Sequence, residues 1–499
     1  MPKISFRILN IYDSNHYLGR RFLTIFKLLF LTMPDSDKTP RIAIIGAGFS
    51  GLMTAYHLIK GATSPLSIHL INEKDTFGRG PAYSTKSLKH LLNVPAAKMS
   101  AINDDPNHFL DWAHTQPAYQ AMNKDILGKA FLPRKIYGQY FNSLWEEALK
   151  TKRANTKVNI IYDSAVDIDK SQDGYTVKLK TQPAIHADYV ILATGNETPA
   201  NPPIKDAAFY SSKKYIKNPW LTDVTAHIKQ NEDILIIGNG LTTVDLVISI
   251  MATGYSGHIH TLSPSGWAVL PHRHNHLEYK DFINELQEPY TLADINIKFM
   301  KHAHALHKLG ISVEPIADSL RPHTHKIWKA LRHEDKETFL RDMRTIWGKI
   351  RHRIAPQLYD YVSRLQLKGS LIVHKAKLIS ISEDDRGAAV TYLSKTTGKE
   401  EKLNVGLVVN STGPHIDITK SEDPLLLALV AKGLIQPDKL RIGMDVTDQW
   451  NLIDKDGKAH PTLYTLGGNL RGLLWETTAV PELKVQSAQL ARQILSNVQ

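Results

Sequence analysis

The chain has 499 residues, room for two or three domains, and its 42% hydrophobic and 22% charged residues are those of an ordinary globular protein. It has no cysteine, which excludes disulfides, thiolate metal sites and any mechanism built on a redox dithiol. The net charge of +12 is concentrated in residues 1–32 (five Lys/Arg, one Asp) and 321–353 (ten Lys/Arg, four Asp/Glu); neither stretch has a nucleic-acid fold signature, so no nucleic-acid partner is expected.

In chain order, "RRFLTIFKLLFLTM" comes first, an apolar run behind two arginines that Lys27 interrupts and that is too short to span a bilayer. Residues 1–40 are expected to be a disordered or mis-started extension, with Met33 as the alternative start. Membrane contact is expected only through this extension, and the location is expected to be cytoplasmic.

Arg41–Ile45 then reads as an apolar strand, followed by Gly46-Ala-Gly48-Phe49-Ser50-Gly51 and a helix through about Ile59. A second strand, Ser67–Ile71, ends near Glu73, 22 residues after Gly51, where a carboxylate can accept from ribose hydroxyls. In such a turn the first glycine permits the bend. The second lets the backbone approach a pyrophosphate, and the third lets helix and strand pack. The helix N-terminus then faces the phosphates with free N–H groups. Residues 163–187 alternate like a β-meander, and Tyr189–Leu192 closes the round at Ala193-Thr194-Gly195.

A second round follows the proline-rich stretch 196–219: a strand at Asp233–Ile237, then Gly238-Asn-Gly240 with Thr242 and Thr243 opening a helix to about Met251, and a strand at His258–Leu262. Thr243 stands where the third glycine is expected. No acid follows the strand; Ser263 and Ser265 are there instead, with Arg273 beyond, so the pattern leans to NADPH and leaves NADH open. A meander at 377–404 and Leu407–Val409 close this round at Ser411-Thr412-Gly413. The tail returns to a strand at Leu463–Leu466, Gly467-Gly468 and a last helix from about Glu482.

The expected fold is α/β: two doubly wound, Rossmann-like dinucleotide-binding domains with β-meanders. They are an FAD-binding domain at 41–215 and an NAD(P)-binding domain at 216–415 with a helical insertion at about 276–368; segment 416–499 completes the first. Two turns imply two cofactors, FAD at the first and NADPH or NADH at the second, meeting between the domains.

The motifs "GRGPAYS" (78–84), "LLNVPAAKMS" (91–100), "HFLDW" (108–112), "FLPRKIYGQYF" (131–141), "IIGNGLTTVD" (236–245) and "LLWETTAVPEL" (473–483) together resemble the bacterial FAD/NAD(P)-binding protein family over about residues 41–496. Some of its members are described as flavin-dependent urate hydroxylases. The motif order is also similar to N-hydroxylating flavin monooxygenases, which pair FAD with NADPH and lack a redox dithiol. The resemblance implies that Asn93 to Met99 lie by the flavin and that Arg134 steadies the FAD-side helix. It places Thr194 and Gly195 at the crossing between domains, and Trp475 and Glu476 near the isoalloxazine ring as the catalytic candidates. Relatives tend to carry an arginine just after the second strand of the nicotinamide domain, where this chain has "SPSG".

Ten of the 23 histidines fall between 272 and 352, including "HRHNH" and "HAHALH", with His304 and His307 on one helix face. No cysteine or convergent acid cluster joins them, and no metal is expected. "RHRIAP" at 351–356 can cover cofactor pyrophosphates or attract an anion, or be a solvated helical face. The leading expectation is a flavin-dependent oxidoreductase. NAD(P)H reduces its FAD, and oxygen then yields a hydroperoxide that hydroxylates a small molecule. The alternatives are an NAD(P)H dehydrogenase serving a quinone or protein carrier, and a dinucleotide-sensing protein without turnover.

Overall fold

The structure, a computed structural model, describes residues 39–273, 277–385 and 387–498. The expectation for the N-terminal extension, and His274 and His276 of the "HRHNH" run, lie outside the described residues.

The first glycine turn belongs to a six-stranded sheet whose order across the sheet is Asn451–Ile453, Ala459–Thr465, Tyr189–Leu192, Arg41–Ile45, Leu66–Ile71, Thr156–Ile161. All neighbours are parallel except the first pair. Strand alternation sorts the side chains onto two faces. Ile42 and Ile44 pack under helices Phe49–Gly61, Arg134–Thr151 and Val480–Val498. Ala43 and Ile45, with Val190 and Leu192, pack against the opposite layer. That layer is the expected meander, an antiparallel sheet of Ala165–Ser171, Gly174–Leu179 and Ile185–Ala187, together with helix Pro424–Ala431.

The second turn belongs to a seven-stranded sheet in the order Glu400–Val405, Gly387–Ser394, Leu371–Asp384, Ile259–Ser263, Ile234–Ile237, Leu407–Asn410, Tyr215–Ile216. The second meander is not separate from this sheet. Strand Leu371–Asp384 pairs parallel with Ile259–Ser263 over its first five residues and antiparallel with Gly387–Ser394 beyond them. An irregularity between Leu378 and Ser380 shifts the register, which returns the apolar side chains to the buried face.

The segment expected as one insertion at 276–368 divides in two. Leu270–Pro271 pairs parallel with Arg353–Ile354, and this two-stranded neck bounds the helices from Asp281 to Arg351, which have their own core of Phe282, Leu306, Ile316, Ile327 and Trp328. Helix Pro356–Leu367 lies beyond the neck and packs its Leu365 back onto the second sheet beside Leu246, Val247 and Ile250.

Candidate functional site

Both turns are built by the same contacts. Gly46 N–H donates to Ile71 O at 2.9 Å and Gly238 N–H to Leu262 O at 2.9 Å, so each turn is fastened to the neighbouring strand. Each first glycine has positive φ, +98° and +120°, and faces the loop after the closing strand. A Cβ on Gly46 would stand 2.2 Å from Ala193 O, and one on Gly238 2.3 Å from Ser411 O. Gly51 seats its helix on the first turn, where a Cβ would meet Gly46 O at 1.8 Å.

Thr243 replaces that third glycine. Its buried hydroxyl donates to Gly238 O and accepts from Ser411 Oγ, both at 3.1 Å, so hydrogen bonds substitute for close packing. Gly48 and Gly240 differ from all these: a Cβ on Gly48 would make only ordinary contact with Gly80 Cα at 3.7 Å, and one on Gly240 would meet nothing within 4 Å. Their missing side chains are not required by the fold. They leave the helix N-termini open to an anion, and the turns therefore fit dinucleotide phosphates.

Asn72, at the end of the second strand, holds the first turn by accepting from Ala47 N–H at 2.8 Å. Glu73 beside it is exposed, with Ser164 Oγ donating to its carboxylate at 3.0 Å. Phe49 is buried edge-on against Phe141, 5.2 Å between centroids, and Ser50 O accepts from Ser487 of the last helix. Asn469 Nδ2 donates to Thr194 Oγ1 at 3.2 Å; Gly195 stays open at φ +78°. Arg471 donates to Gly468 O and to Asn196 Oδ1, and burial, with Arg344 nearby, lowers its pKa to about 10.

A cavity of about 1080 Å³ opens between the first sheet's helices, the start of helix Leu241–Met251 and the insertion. Of the residues singled out in the sequence, Asn93, Met99, Arg134, Thr242, Arg273 and Glu476 line it, while the first turn with Phe49, Ser50 and Glu73, the second-turn glycines Gly238 and Gly240, and Thr194, Gly195, Ser263, Gly468 and Trp475 lie outside this wall. Trp475 stacks instead on Trp328 of the insertion, 5.2 Å between centroids at 28°, with Phe339 edge-on at 5.4 Å. Glu476 reaches the cavity, but its carboxylate accepts from Trp347 Nε1 at 2.6 Å and Arg351 Nε at 3.0 Å. Its geometry is that of an anchor for the insertion, at a backbone φ of +62°.

Arg134 joins its helix to two other segments. Its guanidinium donates to Leu91 O at 3.0 Å and pairs with Asp245 of helix Leu241–Met251 at 2.9 Å, both side chains nearly buried. Burial raises the Asp245 pKa, and the Arg134 charge opposes that rise. His90 extends the junction through Ser249 Oγ at 2.7 Å, and His272 through Asn93 O at 2.8 Å, which fixes its Nε2 as the protonated nitrogen. Burial lowers the pKa of both histidines. Asp245, not singled out in the sequence, had a signal as the single charge in the apolar run "LTTVDLVISIM"; nothing local marks His90, and His272 stood out only as part of the histidine-rich run "HRHNH".

The insertion's side of the cavity carries paired charges: Arg353 with Asp318, Arg273 with Glu314 at 3.5 Å, and Arg321 with Glu482 at 3.1 Å. Two buried atoms of this wall, Glu314 Oε2 and Arg353 Nε, have no hydrogen-bond partner. His304 and His307 are exposed, and among the described residues no group of three His, Cys, Asp or Glu could hold a metal. No helix among the described residues is long and apolar enough to cross a membrane.

A family model described as FAD-NAD(P)-binding matches residues 43–197, the segment from the first strand to the crossing loop. No curated protein sequence matches the chain. Among solved structures, the fold is similar to an ornithine N-hydroxylase of Kutzneria sp. 744 in complex with FAD and NADP+ (TM-score 0.62, 13% identity, 93% of this chain and 100% of that one). It is also similar to the ornithine hydroxylase of Pseudomonas aeruginosa (0.64, 11%, 93% and 100%) and the L-lysine 6-monooxygenase of Pseudomonas syringae (0.63, 13%, 92% and 100%). At these identities the likeness is one of fold, and it runs through both sheets.

Proposed function

We propose that this chain is an FAD-dependent NAD(P)H oxidoreductase that hydroxylates a small polar molecule with molecular oxygen. The observation that carries this reading is the pair of glycine turns on two sheets whose helices share one large cavity, with Gly48 and Gly240 bare for no reason internal to the fold. FAD, when bound, supplies the electron transfer and oxygen chemistry that side chains cannot.

The protein's part is to bind, orient and exclude water. The N-terminus of helix Leu241–Met251, with Leu241 and Thr242 on the cavity wall, presents N–H groups and the positive end of a helix dipole to a dinucleotide phosphate. Arg134, Asp245, His90 and His272 fix the first domain against the second, and so fix the distance between the two turns. The insertion closes the cavity, anchored by Glu476 on Trp347 and Arg351 and by Trp328 Nε1 donating to Gly472 O at 3.0 Å. The accessible charges of this wall, Arg273 beside Glu314 and Arg321 beside Glu482, offer donors to a substrate with carbonyl or carboxylate groups. Primary amines are the first class to test, since the proteins of similar fold are named for ornithine and lysine.

The test is the visible spectrum of the purified protein, followed by NADPH and NADH added separately without oxygen. A flavin band that bleaches with one of them is the expected result. Oxygen is then readmitted with ornithine, lysine or cadaverine, and hydroxylated amine and hydrogen peroxide are measured. Peroxide alone across all candidate substrates defeats the hydroxylase reading, and a flavin that neither dinucleotide reduces defeats the second site.

A further inference from the structure

Lys349 sits on helix Arg344–Arg351, the last of the insertion, yet its ammonium serves a different part of the fold. Nζ donates to Asn239 O, inside the second glycine turn, at 2.9 Å and to Trp267 O, in the loop after the second strand, at 2.6 Å. Asn239 Nδ2 donates to the same Trp267 carbonyl at 2.9 Å, so turn, loop and insertion meet at one cation. Both partners are neutral carbonyls, and no carboxylate pairs with Lys349 among the described residues. Burial lowers the pKa of this ammonium. A part-buried cation with only neutral partners is under-compensated, and an anion there relieves it.

The surroundings suit an adenosine phosphate. The loop has no acid: Ser263 Oγ accepts from Gly266 N–H at 3.1 Å and Ser265 Oγ from Trp267 N–H at 3.3 Å, which folds Ser263–Trp267 into a tight turn. The Trp267 indole is 45% exposed and free to stack on a base. Lys375, exposed on the adjacent strand, is in register with Ser263. An acid at the strand end selects an unphosphorylated ribose; hydroxyls and cations favour a phosphorylated one.

We infer that Lys349, delivered by the helical insertion, is the cation that receives a phosphate on the adenosine half of the dinucleotide held at the second turn. The inference rests on the reading of that turn as the nicotinamide-dinucleotide site. The phosphate is either the 5′-phosphate common to both dinucleotides or the 2′-phosphate of NADPH. Its binding ties the insertion to the glycine turn, so cofactor occupancy and the cover of the cavity are linked.

The test is calorimetric titration of the FAD-loaded protein with adenosine, 5′-AMP, 2′-AMP and 2′,5′-ADP, for the wild type, Lys349→Met and Lys349→Arg. Lys349→Met is expected to weaken phosphate-bearing ligands by about 10- to 100-fold and to leave adenosine unchanged, while Lys349→Arg keeps most of the affinity. Loss confined to 2′-AMP and 2′,5′-ADP assigns the cation to the 2′-phosphate; loss that includes 5′-AMP and spares 2′-AMP assigns it to the 5′-phosphate. If Lys349→Met binds every ligand as the wild type does, or loses adenosine equally, the inference is overturned. If the wild type binds none of the four, the reading of the turn falls with it. Should Lys349→Met fail to retain FAD, Lys349→Gln, which keeps a donor for the two carbonyls, carries the same comparison.

Discussion

Gly238 and Gly240 stand two residues apart in one turn, and alanine should have opposite consequences at the two. At Gly240 the backbone is extended, φ −103° and ψ −165°, which any residue adopts, and the added Cβ meets no protein atom within 4 Å. Removing a glycine stiffens the unfolded chain and stabilises by about 0.4–1 kcal/mol. Alanine is a poorer N-cap than glycine by roughly the same amount. These offset, and Gly240→Ala should unfold in urea within about 0.5 kcal/mol of the wild type. At Gly238, φ is +120°, a conformation that costs an alanine about 1–3 kcal/mol, and the Cβ lies 2.3 Å from Ser411 O, so turn or closing loop must also move. A loss of at least about 3 kcal/mol is expected there. The order reverses for binding. The Gly240→Ala methyl occupies the approach of a pyrophosphate, and NADP+ affinity measured by calorimetry should fall more than about 10-fold in a protein that is otherwise intact. A Gly240→Ala protein as unstable as Gly238→Ala, or one that binds NADP+ like the wild type, would refute the claim that this glycine is kept for a ligand.

Asp245→Ala leaves the nearly buried Arg134 guanidinium without its carboxylate, and a loss of about 3–5 kcal/mol in urea unfolding is expected, partly recovered in the double variant with Arg134→Met. Thr243→Val removes the hydroxyl that spans Gly238 O and Ser411 Oγ and should cost about 1–3 kcal/mol, with differential scanning calorimetry as the check. His57 has its pKa lowered to about 4, chiefly by burial, with Arg492 adding to the drop and Asp104 opposing it. Its neutral form belongs to the fold, so its contribution is intact above pH 6.5 and is lost as pH falls towards about 4; His57→Gln should flatten the fall of urea midpoints across that window.

The two dinucleotide folds were legible because their signals are local. A glycine turn between an apolar strand and a helix spans about a dozen residues, and strand alternation repeats every two. Asp245 had a local signal too, a charge inside an apolar helix, but that signal was passed over, and its partner Arg134 lies on a helix of the other sheet. What stayed hidden depends on contacts far apart in the chain. The motif around Trp475 and Glu476 does not tell which wall each side chain joins. The indole goes into the insertion's aromatic core and the carboxylate to Arg351, 125 residues away. Lys349 reads as one more charge on a basic helix until the fold carries it to Asn239, 110 residues upstream. The neck at Leu270–Pro271 and Arg353–Ile354 was missed for the same reason: a two-residue pair has no periodicity to read.

The first sheet imposes an order on synthesis. Strand Tyr189–Leu192 waits for Ala459–Thr465, and Thr465 Oγ1 meets Leu192 O only after 273 further residues have emerged. At elongation rates of about 5–20 residues per second that interval is on the order of 15–55 s. Helix Phe49–Gly61, which carries the first turn, waits longer: its outer side is covered by Val480–Val498, where Ser487 reaches Ser50 across 437 positions. A nascent chain on the ribosome therefore carries an unpaired sheet edge and an uncovered apolar helix through most of its translation. A chain stopped before Val480 would leave the ribosome with both glycine turns translated and the helix of the first still bare.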